Sequence, residues 1–149
     1  MMYEKVVIKI NPKEEFTNIT ENVNKLIHEK GLYNGVCTIY SPHTTACIRV
    51  LEDELLLRED MNETLERLAP VRGVYRHDDI EKRSVPPDER KNGYSHIRAM
   101  FLNYQETVPV IGGKLDLGKW QSVFYIECDP GKQDRFYNIY LQGKGISEE

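Results

Sequence analysis

Val6, Ile8 and Ile10 alternate with Val7 and Lys9, the two-residue period of a strand with one face buried. Asn11-Pro12-Lys13 breaks that pattern. Ile19, Val23, Leu26 and Ile27 then recur at helical spacing, with Asn18 and Glu21 placed as a capping box and Gly31 placed to end the helix. From Gly35 the chain reads as strand through Val36–Tyr40; Ser41-Pro42 interrupts it and Cys47–Leu51 resumes it. Leu57, Met61, Leu65 and Leu68 form the apolar stripe of a second helix, which Pro70 stops. Residues 71–92 carry many charges and few aliphatics, and a loop of that length in a compact domain is more often functional than accidental. Ser95–Asn103 fits a short helix. The last third is strand-rich: Val108–Ile111, a Gly112-Gly113 hairpin turn, Leu115–Leu117, Trp120–Cys128 and Phe136–Leu141.

Strands joined by short turns pair antiparallel, and helices must cover a sheet face. The pattern therefore predicts an α+β fold: a mainly antiparallel sheet with two main helices packed on it, in one domain over residues 1–149. That length suits a single core.

Composition narrows the function. A net charge of -4 argues against a general nucleic-acid binder, which needs a basic surplus. No apolar run approaches bilayer length, and Met1–Ile10 lacks a signal core, so a cytoplasmic protein with no membrane partner is expected. Cys37, Cys47 and Cys128 are scattered among apolar neighbours and read as small core hydrophobes. Trp120 reads as a packing residue, and Gln121, on the opposite strand face, as a polar contact.

Three of the four histidines occupy polar junctions: His43 in Ser-Pro-His-Thr-Thr-Ala, His77 in Tyr-Arg-His-Asp-Asp, and His96 in Asn-Gly-Tyr-Ser-His. His28 falls in the last turn of the first helix, where it favours the helix dipole. Imidazole ligates zinc or similar ions, and three protein ligands with an open position is the usual catalytic zinc arrangement. Three unrelated hydrogen-bonding histidines is the alternative, since the spacing matches no compact ligand motif. The hydroxyls of Thr44 and Thr45 can orient an imidazole or bind an anion. Arg72, Arg76, Lys82, Arg83, Arg90, Lys91 and Arg98 can serve a phosphate, or be the cations of a solvated loop balanced by its acidic residues. Glycine-rich nucleotide cradles are absent.

Taken together, Pro42–Ala46, Glu52, Asp60, Tyr75-Arg76-His77, Asn92, Ser95-His96, Val108–Val110 and Gly113–Gln121 resemble the motifs of the YjbQ-like family, also called the secondary thiamine-phosphate synthase family. The resemblance runs from about Gly35 to Gly143. It departs from the family pattern at Leu51, Cys47, Lys119 and Asp129–Lys132. It implies a small α+β domain, a homotrimer, and a thiamine-phosphate synthase type of transferase. Such an enzyme joins a pyrimidine methyl pyrophosphate to a thiazole phosphate and releases pyrophosphate. On this reading His43, His77 and His96 hold a divalent metal ion, zinc by ligand type or magnesium by pyrophosphate chemistry. Glu52 or Asp60 acts as acid, base or ligand, Arg76 or Arg98 neutralises the leaving group, and Thr44 and Thr45 contact the small phosphorylated substrate. A metal-dependent hydrolase or lyase, or a non-catalytic metal- or anion-binding protein, is the alternative.

Overall fold

In the computed structural model the described residues are 1–146; residues 147–149, the end of the expected domain, lie outside them. The described residues form eight strands and three helices: β1 (Met2–Lys9), β2 (Phe16–Asn18), α1 (Thr20–Lys30), β3 (Leu32–Tyr40), β4 (Ala46–Glu52), α2 (Leu55–Leu68), α3 (Gly93–Phe101), β5 (Gln105–Ile111), β6 (Lys114–Leu115), β7 (Gln121–Glu127) and β8 (Phe136–Gly145). Short 3-10 turns at Arg76–Asp78 and Ile80–Lys82 punctuate the long loop. The α+β, antiparallel expectation holds, but the strands divide between two sheets. One has the order β1-β8-β3-β5-β6 and the other β2-β7-β4, with every pairing antiparallel.

The division explains why β4 and β7 read as continuous apolar runs. Ala46 and Ile48 on β4 and Val123 and Tyr125 on β7 face the larger sheet, joining Cys37, Ile39, Val108, Ile139 and Leu141 in the main core. Cys47, Phe124 and Ile126 point the other way, against Leu65 of α2 and Ala99 of α3. A strand buried on both faces loses the alternation that would have revealed its sidedness. The smaller sheet is thus a middle layer, while α1 closes the main core with Val23, Leu26 and Ile27, joined by Ile19 just before it. The short strand β2 carried too little pattern to predict.

Helix ends follow the local chemistry. Gly31 takes φ 72° and its N–H reaches the carbonyls of Ile27 and His28, a left-handed stop that a side chain disfavours. The capping box expected from Asn18 and Glu21 does not form: Ile19 is the N-cap residue without a side-chain cap, and Asn18 accepts from Thr20 N–H at 3.0 Å. Glu54 caps α2 by accepting from Leu57 N–H at 2.7 Å. Leu57, Met61 and Leu65 face inward as the stripe requires, whereas Leu68 is exposed where the helix ends.

All three cysteines are buried thiols. Burial pushes the Cys37 thiol up to about 12; its hydrogen-bond partner Cys128 and burial push Cys47 higher than its ordinary value. Trp120 contradicts the packing expectation: it is 68% exposed at a turn, with Lys119 Nζ 4.9 Å from its ring centre.

Candidate functional site

The corner between the two sheets is the segment 41–45, which carries the chain from β3 to β4. Ser41 ties the corner down by donating its hydroxyl to Ala46 O at 2.7 Å, and Tyr104 OH donates to Thr44 O at 3.0 Å. His43 projects from this corner toward the start of β8. Its Nε2 accepts the Phe136 N–H at 3.1 Å, and its ring packs edge-on against Phe136 with centroids 4.8 Å apart. A nitrogen that accepts an N–H carries no proton, so the other ring nitrogen, Nδ1, is the one left for chemistry.

His96 sits one turn into α3, and His77 lies in the 3-10 turn that docks on the start of that helix. Asp78 accepts from Gly93 N–H at 2.9 Å. A Cβ at Gly93 would come within 2.5 Å of Tyr75 Cβ, so only glycine permits this approach. The docking brings the rings of His77 and His96 to a centroid distance of 4.5 Å. Arg83 fixes the loop from its other side by donating to His77 O at 3.0 Å.

All three junction histidines line one cavity of about 360 Å³, with Pro42, Thr44, Thr45, Arg83, Glu89, Asn92, Lys132 and Arg135. Its wall is held by two acidic anchors. Arg135 donates through Nε and Nη2 to the two Glu127 oxygens at 2.7 and 2.8 Å, and through Nη2 to Thr45 Oγ1 at 2.6 Å. Asp129 accepts from Arg90 and from Asn92 Nδ2. Burial opposes its charge, but those donors hold the Asp129 carboxyl below the usual carboxylate range. Ser95 Oγ donates to Cys128 O at 2.6 Å, fixing α3 to the same segment.

Burial, followed by the charge of Arg135 and Lys132, holds His43 below its ordinary pKa. His96 is likewise lowered, first by burial and then by His77. Neutral imidazoles beside Arg83, Lys132 and Arg135 give the cavity hydrogen-bonding rings that can give or take a proton and fixed cations for an anion.

The other candidates fall elsewhere. Glu52 pairs in register with Gln121 at the far end of β4 and β7; Gln121 Oε1 accepts from Gly118 N–H at 2.8 Å. Asp60 borders an apolar cleft of about 300 Å³ between α2 and the smaller sheet. Arg76 is exposed and does not line the cavity. Arg98 is buried, donating to Ala69 O at 3.0 Å and Glu66 Oε2 at 2.6 Å, so it pins α3 to the end of α2. Arg135 and its partner Glu127 escaped the sequence reading. The only signal was a pair of opposite charges flanking a proline–glycine turn, and many surface loops share that pattern.

A zinc centre built by the three histidines within one chain does not fit this arrangement. His43 Nε2 is already bonded, and among the described residues no three His, Cys, Asp or Glu side chains are grouped to hold a metal ion. Among the described residues no helix is long and apolar enough to cross a membrane.

A family model described as "UPF0047 protein YjbQ-like" matches residues 4–144. A UPF0047 protein of Methanothermobacter thermautotrophicus is 33% identical, covering 95% of this chain and 92% of its own. One from Archaeoglobus fulgidus is 32% identical over 83% of this chain and 89% of its own. Among solved structures, a YbjQ-like protein of unknown function from Sulfolobus solfataricus superposes with a TM-score of 0.79 at 26% identity, covering 96% of this chain and 97% of that one. A hypothetical protein from Aeropyrum pernix gives 0.77 at 28% identity, covering 96% and 100%.

Proposed function

The chain belongs to the YjbQ-like UPF0047 family, and from that membership we propose that its histidine cavity is the active site of an enzyme acting on a small phosphorylated substrate. The observation that carries the proposal is the convergence of His43, His77 and His96 with Arg83, Lys132 and Arg135 on one cavity. Its volume falls at the small end of ligand sites, enough for a pyrophosphate and part of an attached ring.

The reaction proposed is of the thiamine-phosphate synthase type. The bond from the pyrimidine methylene carbon to the pyrophosphate oxygen breaks, and its electron pair leaves with pyrophosphate. The thiazole nitrogen supplies the pair for the new carbon–nitrogen bond. Charge develops on the departing oxygens, so fixed cations matter most there. Arg83 and Lys132 meet that charge, Arg135 adds to it from its anchor on Glu127, and His43 or His96 protonates the leaving group. The same proposal includes a homotrimer in the cytoplasm.

Pyrophosphate release from the two phosphorylated halves tests the reaction. A His43→Gln variant should be slower by about 100-fold or more, the usual loss for a positioned acid. Turnover unchanged in that variant and in His96→Gln alike would remove the cavity from the mechanism. A second reading, a metal-dependent hydrolase or lyase, draws on the 4.5 Å approach of the His77 and His96 rings. It needs donors beyond those two, and elemental analysis of the purified protein together with loss of turnover on chelation would favour it.

A further inference from the structure

We infer that the apolar cleft between α2 and the smaller sheet is a second ligand site, taking a small monocarboxylate whose apolar body fills the cleft while its carboxylate meets Arg49. The cleft shares no lining residue with the histidine cavity, so the inference goes beyond the reaction proposed for that cavity and does not depend on it.

The cleft exists because α2 packs closely on the sheet only toward its C-terminal end. Along its apolar stripe Leu65 is buried, whereas Met61 and Leu57, one and two turns earlier, are only half-buried. Arg98 pins the buried end through Ala69 O and Glu66. Phe16, Leu51 and Ile126 on the sheet and Leu57, Met61 and Leu65 on the helix therefore face one another across about 300 Å³. Protein interiors leave few voids larger than a water molecule, and an apolar space with one or two polar groups is the usual form of a ligand pocket. A dry cavity of about 150 Å³ takes benzene, so this cleft takes a body of roughly ten to twelve heavy atoms. The flexible thioether of Met61 lets one wall adjust to its shape.

Charge selects the ligand's head. Arg49 stands on the helix-facing side of β4, in register with Phe124, and lines the cleft. It is half-buried, and among the described residues no hydrogen bond or ion pair engages its guanidinium. Arg58 differs: it is paired with Asp53 and lies 5.3 Å from the Phe124 ring centre. A partly desolvated guanidinium with its donors unused is costly, and a carboxylate matches its planar fork. Asp60 also borders the cleft but is exposed on α2, where water solvates it. The cation is thus the group that gains from a bound ligand.

Octanoate, with ten heavy atoms, is the probe. Calorimetry on the full chain should give a dissociation constant below about 1 mM. Each methylene removed should weaken binding about fourfold, so hexanoate binds roughly 15-fold more weakly, while dodecanoate gains nothing further because the cleft is full. Octanol and octylamine should bind at least about tenfold more weakly than octanoate. Arg49→Met should bring octanoate down to the level of octanol and leave octanol unmoved. The chain has four methionines, and with their methyl carbons labelled, the Met61 resonance should shift on titration while that of exposed Met100 stays in place.

Octanol binding as tightly as octanoate to the unaltered protein would overturn the inference, with no variant needed. Preference for octylamine would assign recognition to Asp60 and overturn it equally. Affinity that keeps rising to dodecanoate and beyond would mean surfactant-like adsorption on exposed apolar surface, and an unmoved Met61 resonance would place the ligand elsewhere. Either result refutes the site.

Discussion

Replacing Arg135 by methionine should cost the fold about 3–5 kcal/mol, because it strands a carboxylate in a dry environment. Each side chain of the Glu127–Arg135 pair retains only 3% of its surface. Two charge-assisted bonds, at 2.7 and 2.8 Å, join them. Without the guanidinium, Glu127 keeps one contact, from Asp129 N–H at 3.3 Å. Losing two such bonds at about 1.5–3 kcal/mol each gives about 3–6 kcal/mol, an overlapping range. For a chain of this length, 4 kcal/mol corresponds to a fall in Tm of roughly 8–16 °C. The assay is urea unfolding followed by circular dichroism at one fixed protein concentration, since assembly would otherwise shift the midpoint. The comparison that isolates the cause is Glu127→Leu with Arg135→Met, in which no charge is stranded and most of the stability should return. A loss below about 1 kcal/mol in the single variant, the scale of an exposed pair, would refute the reasoning. So would a double variant as unstable as the single one.

His43 and His96 are held below the ordinary histidine value in the folded protein, so on acidification the unfolded chain takes up their protons first. Stability should be level above about pH 6.5 and decline below it; urea midpoints that rise on acidification through that window would contradict this. Gly31→Ala meets open space but a φ of 72°, and should cost about 1 kcal/mol in thermal unfolding. Arg98→Ala removes the bonds to Ala69 O and Glu66. It should lower stability by about 1–3 kcal/mol and leave the pyrophosphate dissociation constant unmoved; a weakened constant with intact stability would return Arg98 to the site.

Much of the fold was legible because periodicity is a local property. The alternation of β1, the 3.6-residue stripes of α1 and α2, the stop at Gly31 and the Gly112-Gly113 turn are each set by neighbours within a few residues. The two-sheet arrangement was not legible. Val123–Ile126 is apolar on both faces, and such a run does not say which face meets a sheet and which meets a helix. Leu68 and Trp120 show the same limit from the other side, since their apolar character did not fix whether anything lies over them.

The candidate site divides along the same line. His43, His77 and His96 stood out because histidine between hydroxyl, acidic and glycine residues at chain junctions is a local anomaly. Their meeting, with Arg135 from the start of β8 and Lys132 from the turn before it, depends on the corner between the sheets and on Gly93 admitting the 3-10 turn to α3. Glu52 and Gln121 share those motifs in sequence yet sit opposite each other far along β4 and β7. Residue type and local spacing were settled by the sequence alone. Which residues face one another was settled by packing, because spatial proximity between positions tens of residues apart is created only when the sheets and helices bury their apolar faces together.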